Sequence, residues 1–439
     1  MQHVDTIIDA GWVIPVIPAN SVLENHSLVI NQGRIIDLLP STHANQKYQA
    51  KHHHTLPGHA LTPGFINAHT HASMSLLRGL ADDLPLMTWL QEHIWPAEAK
   101  FVNEEFVYCG TQLAIAEMLR CGTTCFNEMY FFPDQAARAA SAAGIRATIG
   151  MIIIDFPTAW AQNSDEYLER GLALHDEYRN HPLINTAFAP HAPYTVSDEP
   201  LQRAMTYAEE LDVPIHIHIH ETDEEVGGEV SKTGKRPLAR LHELGLLSPR
   251  LLAVHMTQLN DQEIDLVKET GVHVVHCPES NLKLASGFCP IAKLQEAGIN
   301  LALGTDGAAS NNDLDMLSEI RTTAQLAKAV AYDATALPAH QVLEMATLGG
   351  ARALGIDHEV GSLCIGKAAD IAAIDLSQLE SQPVYHPISQ IVYTATRHQV
   401  TDVWVAGKQL LQSRQLTTLN SSDLIAQAQQ WRDKIKPLA

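Results

Sequence analysis

Hydrophobic positions follow one pattern at the two ends of the chain and another in its middle. In residues 1–58, short apolar runs are interrupted by Pro, Asn and Gly, a pattern typical of β-hairpins. Short apolar runs return after Gly361, among them Gln390–Ala395, and Ser422–Lys436 is predicted to form a terminal helix. The two ends are therefore expected to build one small β-sandwich domain together.

The middle of the chain alternates short apolar runs with longer amphipathic segments. The runs predicted to be strands are Gly64–Ala68, Thr123–Asn127, Arg146–Ile154, Ile184–Ala189, Val213–His218, Leu251–His255, Gly271–His276 and Ile299–Thr305. Eight such units predict an α/β fold of the (β/α)8 TIM-barrel type, and no G-x-G-x-x-G follows the first run to favour a doubly wound sheet. The expected organisation is the first part of the β domain in residues 1–60, the barrel in 61–355, and the rest of the β domain with the terminal helix in 356–439.

Charge and cysteine content restrict the cellular compartments and the classes of partner that are expected. The 439 residues carry 29 Lys+Arg against 50 Asp+Glu, a net charge of −21, which argues against nucleic acid or an anionic membrane as a main partner. No run approaches the roughly 20 apolar residues that span a bilayer. Arg34 is the first basic residue, so the basic segment that opens a secretory signal is not expected. The six cysteines show no C-x-x-C spacing, so a cytoplasmic protein with reduced thiols is expected.

The 24 histidines are the feature of the composition that points to chemistry, because neutral imidazole is a common metal ligand. His69 and His71 follow the first predicted barrel strand. Residues i and i+2 of a strand share a face, and barrel active sites lie at the carboxyl ends of the strands, so both rings can reach one ion. His52–His54 follow a polar stretch, and we predict a solvated loop there.

A second histidine cluster ends the fifth predicted strand, where His216, His218 and His220 share one face and precede Glu221. His216 would lie deepest, and we expect it to fill the barrel interior. Either His218 or His220 would be the metal ligand, and the periodicity does not choose between them. Glu221 places a carboxylate beside the ion.

Further polar residues end other predicted strands: His191, His255, His276 and Asp306. An aspartate at the end of an apolar strand is costly unless it is paired or metal-bound. Asp306, two imidazoles from the first strand and one from the fifth strand would make a closed set of ligands with room for water. The chemistry that this set permits is metal-assisted attack of water on a polarised carbon. Asp306 would take the proton of the water, Glu221 would shuttle protons to the leaving group, and His255 would orient the nucleophile.

Four stretches resemble segments of the amidohydrolase superfamily: PGFINAHTH at residues 63–71, HCPESNLKLASG at 276–287, GTDG at 304–307 and GSLCIGKAAD at 361–370. Within the superfamily, HASMSLLRG at 71–79, PHAPY at 190–194 and HIHET at 218–222 are most similar to the 5-methylthioadenosine/S-adenosylhomocysteine deaminases. That family carries H-x-x-E-T in its fifth strand. The resemblance therefore implies His218 as the ligand and Glu221 as the proton carrier.

The resemblance also implies the reaction and its other participants. One divalent ion, Zn²⁺ first and Fe²⁺ or Mn²⁺ otherwise, would be bound by four residues: His69, His71, His218 and Asp306. Water would add to C6 of adenine in 5′-methylthioadenosine, and ammonia would leave to give the inosine analogue. Further substrates that the resemblance allows are S-adenosylhomocysteine and adenosine. Four residues would bind the substrate: Glu98, His191, Glu221 and Asp306. Of these, Glu98 would hold the ribose hydroxyls. No lysine ends the fourth strand, which fits a single ion, and a homo-oligomer is expected.

One departure from the family bears on the substrate. Some members use an arginine after the third strand to bind the homocysteine carboxylate, and here that region offers only Arg170 and Arg179, besides Arg146 at the start of the strand. Methylthioadenosine, which lacks that carboxylate, is therefore expected to be the better substrate. The alternatives are a guanine, 8-oxoguanine or s-triazine hydrolase of the same branch, or a non-catalytic metal-binding relative.

Overall fold

The computed structural model describes residues 1–436, and the chain begins with four strands of a small β domain. These are β1 (Gln2–Val13), β2 (Leu23–Asn31), β3 (Arg34–Pro40) and β4 (Tyr48–Pro63), with helix α1 (Ser41–Lys47) between the last two. β1 pairs antiparallel with β2 and parallel with β4.

The prediction of a loop at His52–His54 is wrong, because these residues lie within β4. Each of them pairs with a residue of β1, from Thr6 to Ile8. The imidazole of His53 lies 2.7 Å from Oδ2 of Asp9, and the His54 ring packs edge-on against Trp404 at 5.3 Å between centroids. β1 supplies the pairing and the strand Val400–Val405 supplies Trp404, and both strands are more than 40 residues away in sequence. These contacts outweigh the polar local composition.

The middle of the chain forms a barrel of eight parallel strands. They are β5 (Phe65–Thr70), β6 (Thr123–Glu128), β7 (Arg146–Ile153), β8 (Ile184–Pro190), β9 (Ile215–Ile219), β10 (Leu251–His255), β11 (His273–His276) and β12 (Leu301–Leu303). Seven neighbouring pairs form the sheet in chain order. The seam between β12 and β5 is closed by the Asn67 side chain, whose oxygen accepts from the Thr305 amide at 3.0 Å and whose nitrogen donates to the Thr305 hydroxyl at 2.8 Å.

Helices surround the barrel. In chain order they are α2 (Leu86–Thr88), α3 (Trp95–Phe101), α4 (Glu104–Arg120), α5 (Pro133–Ala143), α6 (Ser164–Tyr178), α7 (Asp198–Leu211), α8 (Asp223–Thr233), α9 (Pro237–Glu243), α10 (Asp261–Thr270), α11 (Pro278–Lys283), α12 (Ile291–Glu296), α13 (Met316–Ala331), α14 (Ala339–Glu344) and α15 (Gly350–Ala353). A π-helical turn, Trp89–Ile94, joins α2 to α3.

The chain then returns to the small domain. It adds β13 (Ile371–Asp375), helix α16 (Pro387–Tyr393), β14 (Val400–Val405), β15 (Lys408–Gln412), β16 (Gln415–Leu416) and helix α17 (Ser421–Ile435). The prediction of a strand at Gln390–Ala395 is wrong. Pro387 opens the first turn of α16, and Ile388, Ile391 and Val392 are buried at helical spacing.

Both chain ends contribute to one eight-stranded sheet with the order β16-β15-β14-β13-β4-β1-β2-β3. The predicted (β/α)8 barrel with a small β domain built from both ends is confirmed. The boundaries at residues 60 and 355 stay a prediction, and residues 437–439 of the last predicted segment lie outside the described residues.

The two domains share a buried ion pair. Nε of Arg146, at the start of β7, lies 3.0 Å from Oδ2 of Asp370, just before β13, and both side chains are almost fully buried. Within residues 1–436, no helix combines the length and the apolar character needed to cross a membrane.

Candidate active site

Four side chains from three strand ends converge at the carboxyl end of the barrel. His69 lies in β5 with His71 just after it, His218 lies in β9, and Asp306 follows β12. Asp306 Oδ1 is 3.3 Å from His69 Nε2 and 3.2 Å from His71 Nε2. His218 Nε2 lies 3.2 Å from His69 Nε2. The chain thus brings together the four residues that the resemblance implies as ligands.

The other ring nitrogen of each histidine is held by a neighbour. Nδ1 of His71 lies 2.5 Å from the Met129 carbonyl, and Nδ1 of His218 lies 2.6 Å from the His191 carbonyl. A carbonyl only accepts hydrogen bonds, so these two rings carry their proton on Nδ1 and turn the Nε2 lone pair towards the centre. Nδ1 of His69 instead meets another side chain, Nε2 of His216, at 2.8 Å.

This donor set fits a divalent metal ion. Lone pairs of imidazole nitrogens directed at one another across 3.2 Å repel unless a cation or a proton lies between them. Three imidazoles and one carboxylate are the donors that zinc and related ions bind. The same centre includes His255, whose ring nitrogen lies within 4.8 Å of the donor nitrogens of His69 and His218.

His220, the other candidate ligand, faces away from the centre. Its Nε2 accepts a hydrogen bond from the Leu238 amide at 3.2 Å and lies 3.8 Å from the Glu263 carboxylate. Its backbone leaves the strand with a φ of 55°, which ends the alternation that the sequence pattern assumes. His220 therefore stabilises the start of α9 and contributes no donor to the centre.

Asp306 is held in one orientation by hydrogen bonds to both carboxylate oxygens. Oδ1 accepts from the Gly307 amide at 2.8 Å, and Oδ2 accepts from the hydroxyls of Ser280 at 2.6 Å and Ser310 at 3.0 Å. Burial alone raises the pKa of Asp306, but the His69 and His71 rings beside its carboxylate hold that pKa well below its usual value. The carboxylate is therefore ionised at neutral pH.

The backbone around Asp306 is also specialised. Its φ of 64° is a left-handed conformation, of the kind that concentrates at functional sites. A Cβ on Gly304 would lie 2.8 Å from the Cβ of His69, so only glycine allows the two strands to approach this closely. The GTDG stretch thus combines a glycine that allows close contact with His69 and an aspartate held in a left-handed backbone conformation.

Glu221 and His255 lie beside the four donors. His255 Nε2 is 3.7 Å from the Glu221 carboxylate, and its Nδ1 is 2.9 Å from Oδ1 of Asn281, which fixes the ring. Burial raises the pKa of Glu221 above its ordinary value, whereas His255 lowers it. The Glu221 amide donates to the Glu225 carboxylate at 2.6 Å. Glu221 is thus a largely buried acid next to the four donors and is able to hold a proton.

The centre opens into a cavity of about 440 Å³. Glu98, on α3, and His191, after β8, line it together with Glu221 and Asp306. The Tyr130 hydroxyl donates to Glu98 at 2.6 Å, and burial raises the pKa of Glu98 to about 7. The other walls are mainly apolar and aromatic, including Trp89, Trp95, Phe131, Ile152 and Phe156.

Among the described residues, no lysine or arginine lines this cavity. Arg146 is paired with Asp370 at the far end of its strand. Arg170 pairs with Glu166 at 2.6 Å and Arg179 with Asp176 at 3.7 Å, both on the outer helix α6 or at its end. None of the three arginines singled out in the sequence reaches the site.

The site is supported by several residues to which the sequence analysis assigned no role. The Glu128 carboxylate, at the end of β6, accepts from the Ala72 amide at 2.9 Å and from the Thr70 hydroxyl at 2.7 Å, and so braces the His69–His71 segment. Ser280 and Asn281 lie in the 276–287 stretch, and their position there is a signal that could have found them. Glu128 directly follows the predicted strand Thr123–Asn127, as Asp306 follows Ile299–Thr305, and so offered the same signal.

Comparison with known proteins agrees with this geometry. The amidohydrolase family model matches residues 60–410. A 5-methylthioadenosine/S-adenosylhomocysteine deaminase from Teredinibacter turnerae is 52% identical over 98% of both chains. One from Saccharophagus degradans is 53% identical over 98% of this chain and 97% of that protein. The chain therefore belongs to the amidohydrolase family and to its 5-methylthioadenosine/S-adenosylhomocysteine deaminase branch, as the sequence predicted.

Solved structures give the same fold. A zinc-bound adenosine deaminase from Xanthomonas campestris is 57% identical, matches with a TM-score of 0.98 and covers 99% of both chains. An atrazine chlorohydrolase from Arthrobacter aurescens, with a TM-score of 0.90 over 97% of this chain and 99% of that one, is only 22% identical and shares the fold. The assignment to hydrolases that act on C–N bonds of cyclic amidines follows from this family membership.

Proposed function

We propose that this protein hydrolytically deaminates the adenine ring of 5′-methylthioadenosine, releasing ammonia and the inosine analogue. The observation that carries the proposal is one cavity that joins the metal-type donor set and Glu221 to Glu98. Relatives that are 52% and 53% identical are named 5-methylthioadenosine/S-adenosylhomocysteine deaminases.

Four residues would hold one divalent ion: His69, His71, His218 and Asp306. When bound, the ion acidifies water and so supplies a nucleophile at neutral pH. We infer zinc, because the donors suit it and a structural relative at 57% identity is described with bound zinc. Iron(II) and manganese(II) fit the same donors, so the metal content of the isolated protein decides between them.

Proton movements are assigned to the chain's own groups. Asp306 accepts the proton of the attacking water, since its carboxylate is ionised and held on both oxygens. Glu221, whose pKa is raised by burial, delivers a proton to the ring nitrogen beside C6 and then assists departure of ammonia. His255 Nε2 points into the space between the donors and Glu221, where it orients the nucleophile.

The cavity supports a nucleoside with an apolar 5′ substituent. A Glu98 carboxylate can accept hydrogen bonds from both ribose hydroxyls, and the aromatic wall accommodates a methylthio group. A homocysteine carboxylate would enter a cavity whose described lining offers no cation, and burying an unpaired charge is costly. Methylthioadenosine is therefore preferred over S-adenosylhomocysteine.

The test offers metal-loaded protein five compounds side by side and follows release of ammonia, and for the last compound also of chloride: methylthioadenosine, S-adenosylhomocysteine, adenosine, guanine and a chlorotriazine. We expect the highest kcat/KM for methylthioadenosine. Equal values for methylthioadenosine and S-adenosylhomocysteine would contradict the argument from the missing cation. Turnover of guanine or the triazine alone would contradict the role of Glu98.

We also infer a cytoplasmic location and a homo-oligomeric state. All six cysteines are free thiols in the structure, which suits a reducing compartment. Cell fractionation and light scattering of the purified protein test these two inferences, and a secreted or strictly monomeric protein would contradict them.

A further inference from the structure

One of the three histidine ligands is oriented differently from the other two. Backbone carbonyls, from Met129 and His191, hold the Nδ1 atoms of His71 and His218. His69 has no such carbonyl, and its Nδ1 faces Nε2 of His216 at 2.8 Å. The tautomer of His69 therefore depends on the side chain of His216, which can either donate or accept the hydrogen bond between the two rings.

We propose that His216 is a positioning residue that accepts a hydrogen bond from Nδ1 of His69 and thereby turns the Nε2 lone pair of His69 towards the metal. The inference rests on the metal site proposed above. It replaces the expectation that His216 only fills the barrel interior.

The geometry leaves two arrangements for this pair of rings. If His216 accepts, Nε2 of His69 is free to bind an ion. If His216 donates, the proton of His69 sits on Nε2, 3.3 Å from Asp306 Oδ1, and blocks the donor set. A ligating His69 thus requires an accepting His216, which must then carry its own proton on Nδ1.

Burial makes this requirement strict. Both rings are fully buried, and Nδ1 of His216 has no hydrogen-bond partner among the described residues. With the His216 ring replaced by an apolar group, Nδ1 of His69 would have neither water nor side chain to donate to. The tautomer with the proton on Nε2, which pairs with Asp306, would then be favoured in the metal-free protein.

Nδ1 of His216 is a buried polar atom without a partner among the described residues, and such an atom destabilises the fold. A residue that only filled the barrel interior would not need this atom. An apolar side chain would fill the same space without that cost. His216 is therefore better explained by its contact with His69 than by packing.

The experiment compares zinc affinity, measured by chelator competition without substrate, for H216L and H216Q. Leucine removes the acceptor, and we expect zinc to bind about 10- to 100-fold more weakly, as when other partners of metal-bound histidines are removed. The amide oxygen of glutamine reaches about as far as Nε2 of histidine, and H216Q is expected to restore most of the affinity. The visible spectrum of the cobalt-substituted protein should change in H216L and return in H216Q.

The matched control is H220L, which also removes a buried histidine, in this case the residue that directly follows the same strand. It loses the hydrogen bond from the Leu238 amide, so its melting temperature should fall while its zinc affinity stays unchanged. Wild-type zinc affinity in H216L, or no recovery in H216Q, would overturn the proposal. If H216L does not fold, H216M takes its place, because a thioether is only a weak acceptor.

A further variant separates the proposed role of His216 from the proposed metal site on which it rests. H69A should lose zinc binding altogether. If H69A binds zinc as tightly as the wild type, the metal site itself is wrong. If H69A loses zinc and H216L does not, only the role of His216 is wrong. Neither result depends on which nucleoside is the substrate.

Discussion

Two of the histidine pairs spaced i and i+2 in this protein, His52 with His54 and His69 with His71, have different surroundings, and only the second pair lies in a metal-type centre. His69 and His71 stand at the end of a barrel strand, where donors from two other strand ends meet them within 3.3 Å. His52 and His54 lie in β4 of the small domain. There the neighbouring side chains belong to β1 and the His54 ring packs on Trp404.

The difference lies in convergence and burial. A parallel barrel directs the carboxyl ends of all its strands to one face, so residues far apart in sequence share a centre. The sheet of the small domain places equivalent residues side by side along its surface, where His52 and His53 are exposed and His54 packs on Trp404. The H-x-H pattern thus reports two imidazoles on one strand face, and the surrounding topology decides their chemistry.

The sharpest way to break this comparison is to remove one histidine from each strand. In H71A, zinc content should fall from one ion per chain to near zero, and turnover should fall by about 10³-fold or more because the source of the nucleophile is lost. In H54A, both should stay within about twofold of wild type, since His54 belongs to no group of close metal donors among residues 1–436. Zinc analysis and an ammonia assay measure both, and equal effects in the two variants would contradict the comparison.

The second prediction separates metal binding from catalysis within the barrel. In Glu221→Gln, kcat should fall by about 10²- to 10⁴-fold, because an amide cannot carry the proton that the reaction needs. Zinc content should remain at one ion per chain, since Glu221 is not among the four donors. Unchanged turnover would favour a metal-binding protein without this activity.

The third prediction concerns Glu98, which lines the same cavity. A hydrogen bond from a ribose hydroxyl to a carboxylate contributes about 1.5–3 kcal/mol, so Glu98→Gln should lower kcat/KM for methylthioadenosine by about 10- to 100-fold. Glu98→Gln should leave zinc affinity unchanged. Wild-type kcat/KM would show that the carboxylate does not hold the ribose.

Glu98 also predicts a pH dependence. Burial raises its pKa to about 7, and only the ionised carboxylate accepts hydrogen bonds on both oxygens. As pH falls through about 7, Glu98 takes up a proton and kcat/KM should decline. The decline should be shallower in Glu98→Gln, and an identical acid limb in both proteins would assign it to another group.

The smallest effect is expected in the small domain. His53 pairs with Asp9 at 2.7 Å with a side chain that is 40% exposed. Because exposed pairs contribute little, His53→Ala should change the free energy of unfolding by less than about 1 kcal/mol. Denaturant unfolding measures this, and a larger loss would show that the small domain depends on its histidines more than the comparison allows.

Much of the barrel could be predicted because each strand is a short apolar run followed by an amphipathic helix. The site residues at strand ends, such as His69, His255 and Asp306, follow from the same pattern once the barrel is assumed. The two errors, at His52–His54 and Gln390–Ala395, fall where local composition competes with tertiary context. In one case a distant strand supplies the pairing, and in the other a proline and three apolar residues favour a helix.

Periodicity along β9 could not choose between His218 and His220. The choice depends on the backbone leaving the strand at His220 with a positive φ, which alternation does not encode. The contact between His216 and His69 was also beyond reach, since it joins residues 147 positions apart in the chain. Such contacts between side chains on opposite strands depend on the closure of the barrel.

We propose that one divalent ion, held by four strand-end residues, is required for deamination of methylthioadenosine. The most direct measurement is the rate of ammonia release as metal-free protein is titrated with zinc, with bound zinc counted at each point. Activity should rise linearly and stop at one ion per chain. Full activity in the metal-free protein, or a rise that continues to two ions per chain, would contradict the account.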